Sequence, residues 1–268
     1  MGYLNPVCPN FRREGVCIVQ RYFVPSDQLE GTAVRIGGND AHHIMNVLRM
    51  KEGEQILCVF DEGRSALVQL SKVTNESVFG SVLEWMDEEK ELPVHVTIVS
   101  GLPKGDKLEY IVQKGTELGA NSFIPFIAER SIVKWDDKKS GKKVERLQKI
   151  AKEAAEQSHR TYIPTVEKPL RMAGILESAK EYDVCLVAYE EDAKTKEKSA
   201  FSQALRKLDK GKSVLIVFGP EGGLTEKEVN ALKEAGFISC ALGPRILRTE
   251  TAPLYALAAI SYQLELMG

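Results

Sequence analysis

The chain has 268 residues, 43% of them hydrophobic and 28% charged, with a formal net charge of −2 at pH 7. That composition suits a globular protein with a sizeable core. No apolar run approaches the roughly 18 residues of a membrane helix, and the near-neutral balance excludes a protein that grips nucleic acid over its whole surface. The five cysteines, Cys8, Cys17, Cys58, Cys185 and Cys240, form no C-x-x-C pair and are odd in number. Neither a disulfide framework nor a structural zinc site is expected, and a cytoplasmic setting fits.

Residues 1–19 carry Pro6, Pro9 and two cysteines without periodicity, and lack the apolar stretch of a signal peptide. They read as a disordered or non-native extension. Residues 20–92 read as a small β-barrel-like module. Strand patterns cover Arg21–Val24, Thr32–Ile36, Gln55–Phe60, Ser65–Val73 and Ser77–Trp85. One helix, capped by Asn39 or Asp40, carries Ile44, Val47 and Leu48 at helical spacing and ends at Gly53. The acidic stretch Asp87–Glu91 before Pro93 reads as a linker.

From residue 93 the pattern becomes alternating strands and helices. Strands are expected at Val94–Val99, Phe123–Ile127, Val184–Ala188 and Val214–Phe218. Helices are expected at Lys104–Leu118, Lys142–Ser158, Phe201–Leu208, Thr225–Ala235 and Thr251–Leu266. The second helix places Val144, Leu147, Ala151, Ala154 and Ala155 on one face. The last is apolar nearly all round and needs burial on several sides. Continuous apolar strands between amphipathic helices indicate a parallel sheet covered on both faces. Charge is uneven: residues 1–93 are net acidic and 94–268 net basic, with the excess concentrated in 128–160. The pairs Lys138–Lys139 and Lys142–Lys143 read as a solvated loop at the start of a helix.

Three segments are candidates for chemistry. In Val214–Glu228 a buried strand enters the turn Gly219-Pro-Glu-Gly-Gly223, and a helix with a Thr225/Glu228 capping box follows. Gly219, Gly222 and Gly223 permit positive φ and close approach of a ligand to the backbone. The turn lacks the G-x-G-x-x-G and Gly-Lys-Ser/Thr patterns of nucleotide sites, so a ligand-free strand-to-helix turn is the competing reading. Leu242–Ala252 places Arg245, Arg248, Glu250, Thr249 and Thr251 before the apolar last helix; Arg248 and Glu250 read either as site residues or as a structural ion pair. Ser100–Leu108 is a Gly/Pro turn with two lysines, or simply a strand-to-helix loop. No histidine stands at ligand spacing from a cysteine or carboxylate, so no metal is expected.

Taken in order, the motifs His42–Gly53, Leu102-Pro-Lys-Gly-Asp-Lys-Leu108, Gln113–Gly119, Glu153–Ser158, Phe218–Gly223 and Leu242–Ala252 resemble the bacterial 16S rRNA uridine-N3 methyltransferases of the E type, over residues 20–266. The resemblance implies a PUA-like RNA-binding domain (20–92) followed by a SPOUT-class α/β domain (93–268). In that class a C-terminal trefoil knot forms an S-adenosylmethionine pocket, and the protein is typically a homodimer. It implies methylation of a decoding-centre uridine in the small subunit, with the cofactor held by Ala188, Tyr189, Glu190, Gly219, Pro220, Glu221, Gly222, Gly223, Leu242, Gly243, Ile246, Leu247 and Ala252. Arg248 and Glu250 are the expected catalytic residues. Arg21, His42, Arg49, Lys51, Lys104 and Arg130 are the expected RNA contacts. A non-enzymatic ribosome assembly factor on the same fold, needing no cofactor pocket, is the alternative. A nucleotide-dependent enzyme of another class is weakened by the absent phosphate-binding motifs.

Overall fold

Backbone contacts divide the chain between Glu88 and Glu89 in a computed structural model that describes residues 19–135, 137–190 and 200–267. The expected extension therefore lies almost wholly outside the described residues. In the first unit, β1 (Arg21–Phe23), β2 (Leu29–Glu30), β3 (Ala33–Ile36), β4 (Gln55–Val59), β5 (Ser65–Val73) and β6 (Val78–Met86) form one sheet in the order β1-β4-β5-β6-β3-β2. Only β1 and β4 run parallel; the other pairs are antiparallel. The pairing places β1 and β2 at the two ends of this sheet. Register shifts at Leu67/Val68 and Leu70/Lys72 bend β5 against β6. Inward residues, among them Tyr22, Val34, Ile56, Val68 and Val78, make its core with Ile44.

The single helix is shorter than the pattern suggests. α1 (Gly38–His42) passes into one π-helical turn, His43–Val47, and Arg49 then takes a left-handed φ of 56°. The Met50 N–H reaches back to the Ile44 carbonyl at 3.0 Å, a closure that glycine usually makes. The helix thus ends before Arg49 and not at Gly53. Ile44 is buried, whereas Val47 is 61% exposed.

The second unit has β7 (His95–Gly101), α2 (Lys107–Glu117), β8 (Ser122–Phe126), α3 (Asp137–Gln157), β9 (Thr165–Val166), α4 (Met172–Ser178), β10 (Val184–Ala188), α5 (Ala200–Arg206), β11 (Ser213–Phe218), α6 (Glu226–Glu234), β12 (Ile238–Cys240) and α7 (Thr251–Ser261). Its sheet order is β12-β10-β11-β7-β8-β9, all parallel. One apolar layer joins α2, α3, α5 and α7 to the sheet through Ile111, Leu147, Phe201 and Leu257. The opposite layer holds Ile175 of α4 and Val229 of α6. Continuous apolar strands have both faces covered, as their composition requires. The two-residue β9 and the short α4 are too brief to leave a periodic signal.

The lysine pairs at 138–139 and 142–143 lie within α3, not in a loop; lysine is a good helix former and no proline interrupts the run. Lys143 covers the Trp135 ring at 4.8 Å. The boundary falls inside the acidic stretch, because two of its glutamates are structural. Glu88 pairs with Arg21 in the first unit at 2.7 Å. Glu91 pairs with buried Arg160 in the second, and also accepts the Thr161 and Tyr162 N–H groups at 2.9 and 3.1 Å. The same Arg160 guanidinium donates to the Thr116 and Ala120 carbonyls at 3.0 and 2.7 Å. Cys58 and Cys240 are buried and Cys185 is half-buried; all three are free thiols. Burial, with Asp40 nearby, pushes the Cys58 thiol up to about 12, and burial pushes Cys185 up to about 11.

Candidate active site

The carboxyl ends of β10, β11 and β12 open on a cavity of about 510 Å³. This is where ligands bind in open parallel sheets, and the volume suits a nucleoside-sized molecule. Its walls come from three loops: Ala188, Tyr189 and Glu190 after β10; Phe218 to Leu224 after β11; and Ala241 to Thr249 after β12. Ala252, Lys107 and Arg130 complete the lining. All thirteen residues expected to hold a cofactor face this one cavity, as does Arg248.

Backbone crowding fixes the central turn. A Cβ on Gly101, at the end of β7, would sit 2.4 Å from the Pro220 nitrogen, so only glycine lets β7 and the turn approach. The turn is closed by the Gly223 N–H to the Pro220 carbonyl at 2.8 Å. Of the turn's glycines, only Gly223 has positive φ, at 70°. Gly222 has no positive φ, and a Cβ there would press on Arg130 Cβ at 3.1 Å. The Arg130 guanidinium donates to the Gly222 and Leu224 carbonyls at 3.2 and 3.4 Å, so this expected RNA contact braces the turn.

The capping box at the start of α6 is present: the Glu228 N–H donates to the Thr225 hydroxyl, and the Thr225 N–H to the Glu228 carboxylate. The other Glu228 oxygen accepts the Glu129 N–H at 2.8 Å, anchoring the loop that carries Arg130.

Glu250 stands at the start of α7, with Lys107 Nζ 3.2 Å from its Oε2. That distance makes an ion pair, but the oxygen is buried and has no aligned hydrogen bond. Of the two readings of Arg248 and Glu250, the structural ion pair is not formed: the carboxylate's close partner is Lys107, and Arg248 acts on it through its charge. Glu250 is held below the usual carboxylate range, first by its own backbone N–H and then, against partial burial, by Lys107 and Arg248. Lys107 is one of the two lysines of the candidate turn Ser100–Leu108, but the sequence assigned it no role. One signal was available: a lysine in the first turn of a helix opposes the helix dipole and needs a reason.

Among the expected RNA contacts of the first unit, His42, Arg49 and Lys51 are exposed along α1 and the segment after it. Arg21 is not: it is 3% exposed, its guanidinium bound to Glu88 at 2.7 Å. A guanidinium buried and paired in this way is unavailable to phosphate. Lys104 is exposed in the second unit, and its N–H donates to Glu221 Oε1 at 3.1 Å.

With this geometry in place, similarity to known proteins is decisive. The RNA methyltransferase domain family matches residues 90–261, and the RNA methyltransferase PUA domain family matches residues 36–83. The chain is 56% identical to ribosomal RNA small subunit methyltransferase E of Bacillus subtilis, over 93% of this chain and 98% of that protein. This chain belongs to the ribosomal RNA small subunit methyltransferase E family. A Synechocystis member is 33% identical over 91% of this chain and 78% of its own length. The crystal structure of the Neisseria gonorrhoeae member bound to S-adenosyl methionine has a TM-score of 0.79 at 30% identity, covering 91% and 97% of the two chains. The SPOUT-type parallel sheet and the PUA-like module expected of such a family member are the two units described above.

Proposed function

We propose that this chain, an RNA methyltransferase by family, transfers a methyl group from S-adenosylmethionine to N3 of a decoding-centre uridine of 16S rRNA in the small ribosomal subunit. One observation carries the reading: the three-loop cavity at the strand ends has Arg248 on its wall, in a chain 56% identical to a ribosomal RNA small subunit methyltransferase. The cavity fits the cofactor chemically. Phe218, Leu224, Ala241, Leu242 and Ala252 offer apolar surface for a base, and the turns offer backbone polar groups for the remainder.

When bound, S-adenosylmethionine supplies an electrophilic sulfonium methyl, so catalysis by the chain is chiefly positioning. Uridine N3 carries a proton that must leave, and charge then builds on the uracil carbonyls. The exposed Arg248 guanidinium is the group to stabilise that charge. Glu250, held ionised, is the group to receive the proton. Its lowered basicity makes the step depend on Arg248. N3 lies on the pairing edge, so the base must be unpaired to react. His42, Arg49 and Lys51 in the first unit, and Lys104 in the second, are the proposed RNA contacts.

Two further elements belong to this reading. The outward side of the last helix leaves Tyr255 42%, Tyr262 56% and Leu266 72% exposed. A second copy of the chain is the proposed cover, and sedimentation equilibrium at micromolar concentration should give a homodimer. A cytoplasmic site of action follows from the substrate.

An N3-methyl group blocks pairing and stops reverse transcriptase. Small subunits from a deletion strain should lack one stop near the 3′ end of 16S rRNA. The purified protein with S-adenosylmethionine should restore it. A stop indifferent to the deletion refutes the reaction, and failure to bind S-adenosylmethionine in calorimetry would favour a non-enzymatic assembly factor.

A further inference from the structure

Lys107 occupies an unusual position. It lies in the first turn of α2, where the helix dipole disfavours a cation. Two carboxylates from distant parts of the chain offset that cost. Lys107 Nζ is 3.1 Å from Glu221 Oε1, in the turn after β11, and 3.2 Å from Glu250 Oε2, at the start of α7. All three side chains are partly shielded, at 31%, 28% and 20% exposure. Glu221 Oε1 also accepts the Lys104 N–H at 3.1 Å, which fixes the loop leading into α2. The ammonium therefore joins the turn on the cavity wall to the segment bearing Arg248 and Glu250, and Glu221 ties the loop after β7 to both.

We propose that Lys107 is a positioning residue for the methyl transfer: pinned by Glu221, its ammonium holds the Glu250 carboxylate in register with Arg248 at the cavity. This inference rests on the proposed function, in which Glu250 receives the N3 proton. Glu221 is the fixed anchor. Its backbone donors and Lys107 outweigh burial and keep it below the usual carboxylate range. Lys107 is raised, first by Glu221 and then by Glu250, and so remains charged through neutral pH. Glu250 Oε2 is buried beside the Lys107 ammonium, so the orientation of the carboxylate depends on that contact.

A brace alone would do something else. A partly exposed ion pair contributes little to stability, and its loss would leave the pH dependence of turnover unchanged. A role through Glu250 has a definite sign. Lys107 favours the ionised carboxylate, so removing its charge raises the Glu250 pKa and moves the acid limb of the rate profile to higher pH. The charged groups facing Glu250 are Lys107 on α2 and Arg248 on its own loop, with Glu221 beyond Lys107. Arg130, Glu190 and Arg245 lie elsewhere on the same cavity wall.

The test uses the full chain, intact small subunits and single-turnover methyl transfer across pH, with calorimetric S-adenosylmethionine affinity and melting temperature measured in parallel. Lys107→Met should keep its cofactor affinity and its melting temperature. Its turnover should fall by about tenfold or more on the acid side, with the limb displaced upward, and Lys107→Arg should restore the limb. Glu250→Gln should abolish it. The inference is overturned by a Lys107→Met limb that stays in place, by cofactor affinity falling in step with rate, or by a limb that survives in Glu250→Gln. A wild-type protein that transfers no methyl group would instead sink the functional reading, so the two failures are distinguishable.

Discussion

The cavity of the second unit and the segment of the first unit that carries the proposed RNA contacts are specified differently. The cavity is made largely from backbone: a closed Pro220–Gly223 turn, glycines where side chains would collide, and three loops leaving adjacent parallel strands. The first unit's candidates, His42, Arg49 and Lys51, are isolated side chains on a short helix and the turn after it. A site made of turns carries its specification in contiguous sequence. A site made of single cations depends on which of them the fold leaves exposed.

Buried arginines are the sharpest way to test that difference, because they look like surface charge in the sequence. Arg160→Met would take the donor from the Thr116 and Ala120 carbonyls and remove the charge partner of Glu91, which keeps its two backbone donors. Breaking such a pair costs about 3 kcal/mol, which for a unit of this size is a drop of roughly 6–12 °C in melting temperature. Calorimetric melting should show it, while S-adenosylmethionine affinity at low temperature stays intact. A melting point that does not change would mean the pair is dispensable.

Arg248→Ala, with its guanidinium exposed on the cavity wall, should behave in the opposite way. Turnover should fall by about 10²-fold, the scale for losing an electrostatic stabiliser, with melting temperature and cofactor affinity nearly unchanged. A stable, fully active variant would remove Arg248 from the catalytic machinery.

These cases show what the sequence conveyed. The parallel sheet, the capping box at Thr225 and the Gly219–Gly223 turn were legible because each rests on neighbours in the chain: apolar runs, a fixed three-residue offset, glycines at a strand end. Arg21 and Arg160 were not, because their partners, Glu88 and Glu91, lie 67 and 69 residues away. Both glutamates sit in an acidic stretch that reads as a solvated linker until the fold separates them. The partners of Lys107 were illegible for the same reason, its two carboxylates arriving from the turn after β11 and the start of α7.

Gly222→Val probes the backbone-built site directly. The new side chain would press on Arg130, now 3.1 Å from the Cβ position. Overpacking of that kind costs on the order of 1–3 kcal/mol, so cofactor affinity should weaken about tenfold or more. Adding Arg130→Ala should recover part of the loss by making room. A double variant no better than the single one would argue that Gly222 is needed for direct approach of the cofactor.

The smallest effect concerns Arg49, whose left-handed backbone is costly for a residue with a side chain. Arg49→Gly should stabilise the first unit by about 1 kcal/mol while weakening binding to the small subunit. The salt dependence of binding should lose about one charge equivalent. A variant that is more stable and binds as well as wild type would show that this arginine serves only to end the helix.

The buried thiols supply a built-in clock for each unit. Cys58 belongs to the first unit's core and Cys240 to the second's, and a thiol raised as far as that of Cys58 is inert to alkylating reagents while the unit stays closed. Alkylation followed by site-resolved mass spectrometry would therefore count opening events in the two units separately, in one sample and without labels. With small subunits present, slower modification at Cys58 than at Cys240 would show which half of the protein the ribosome quiets first.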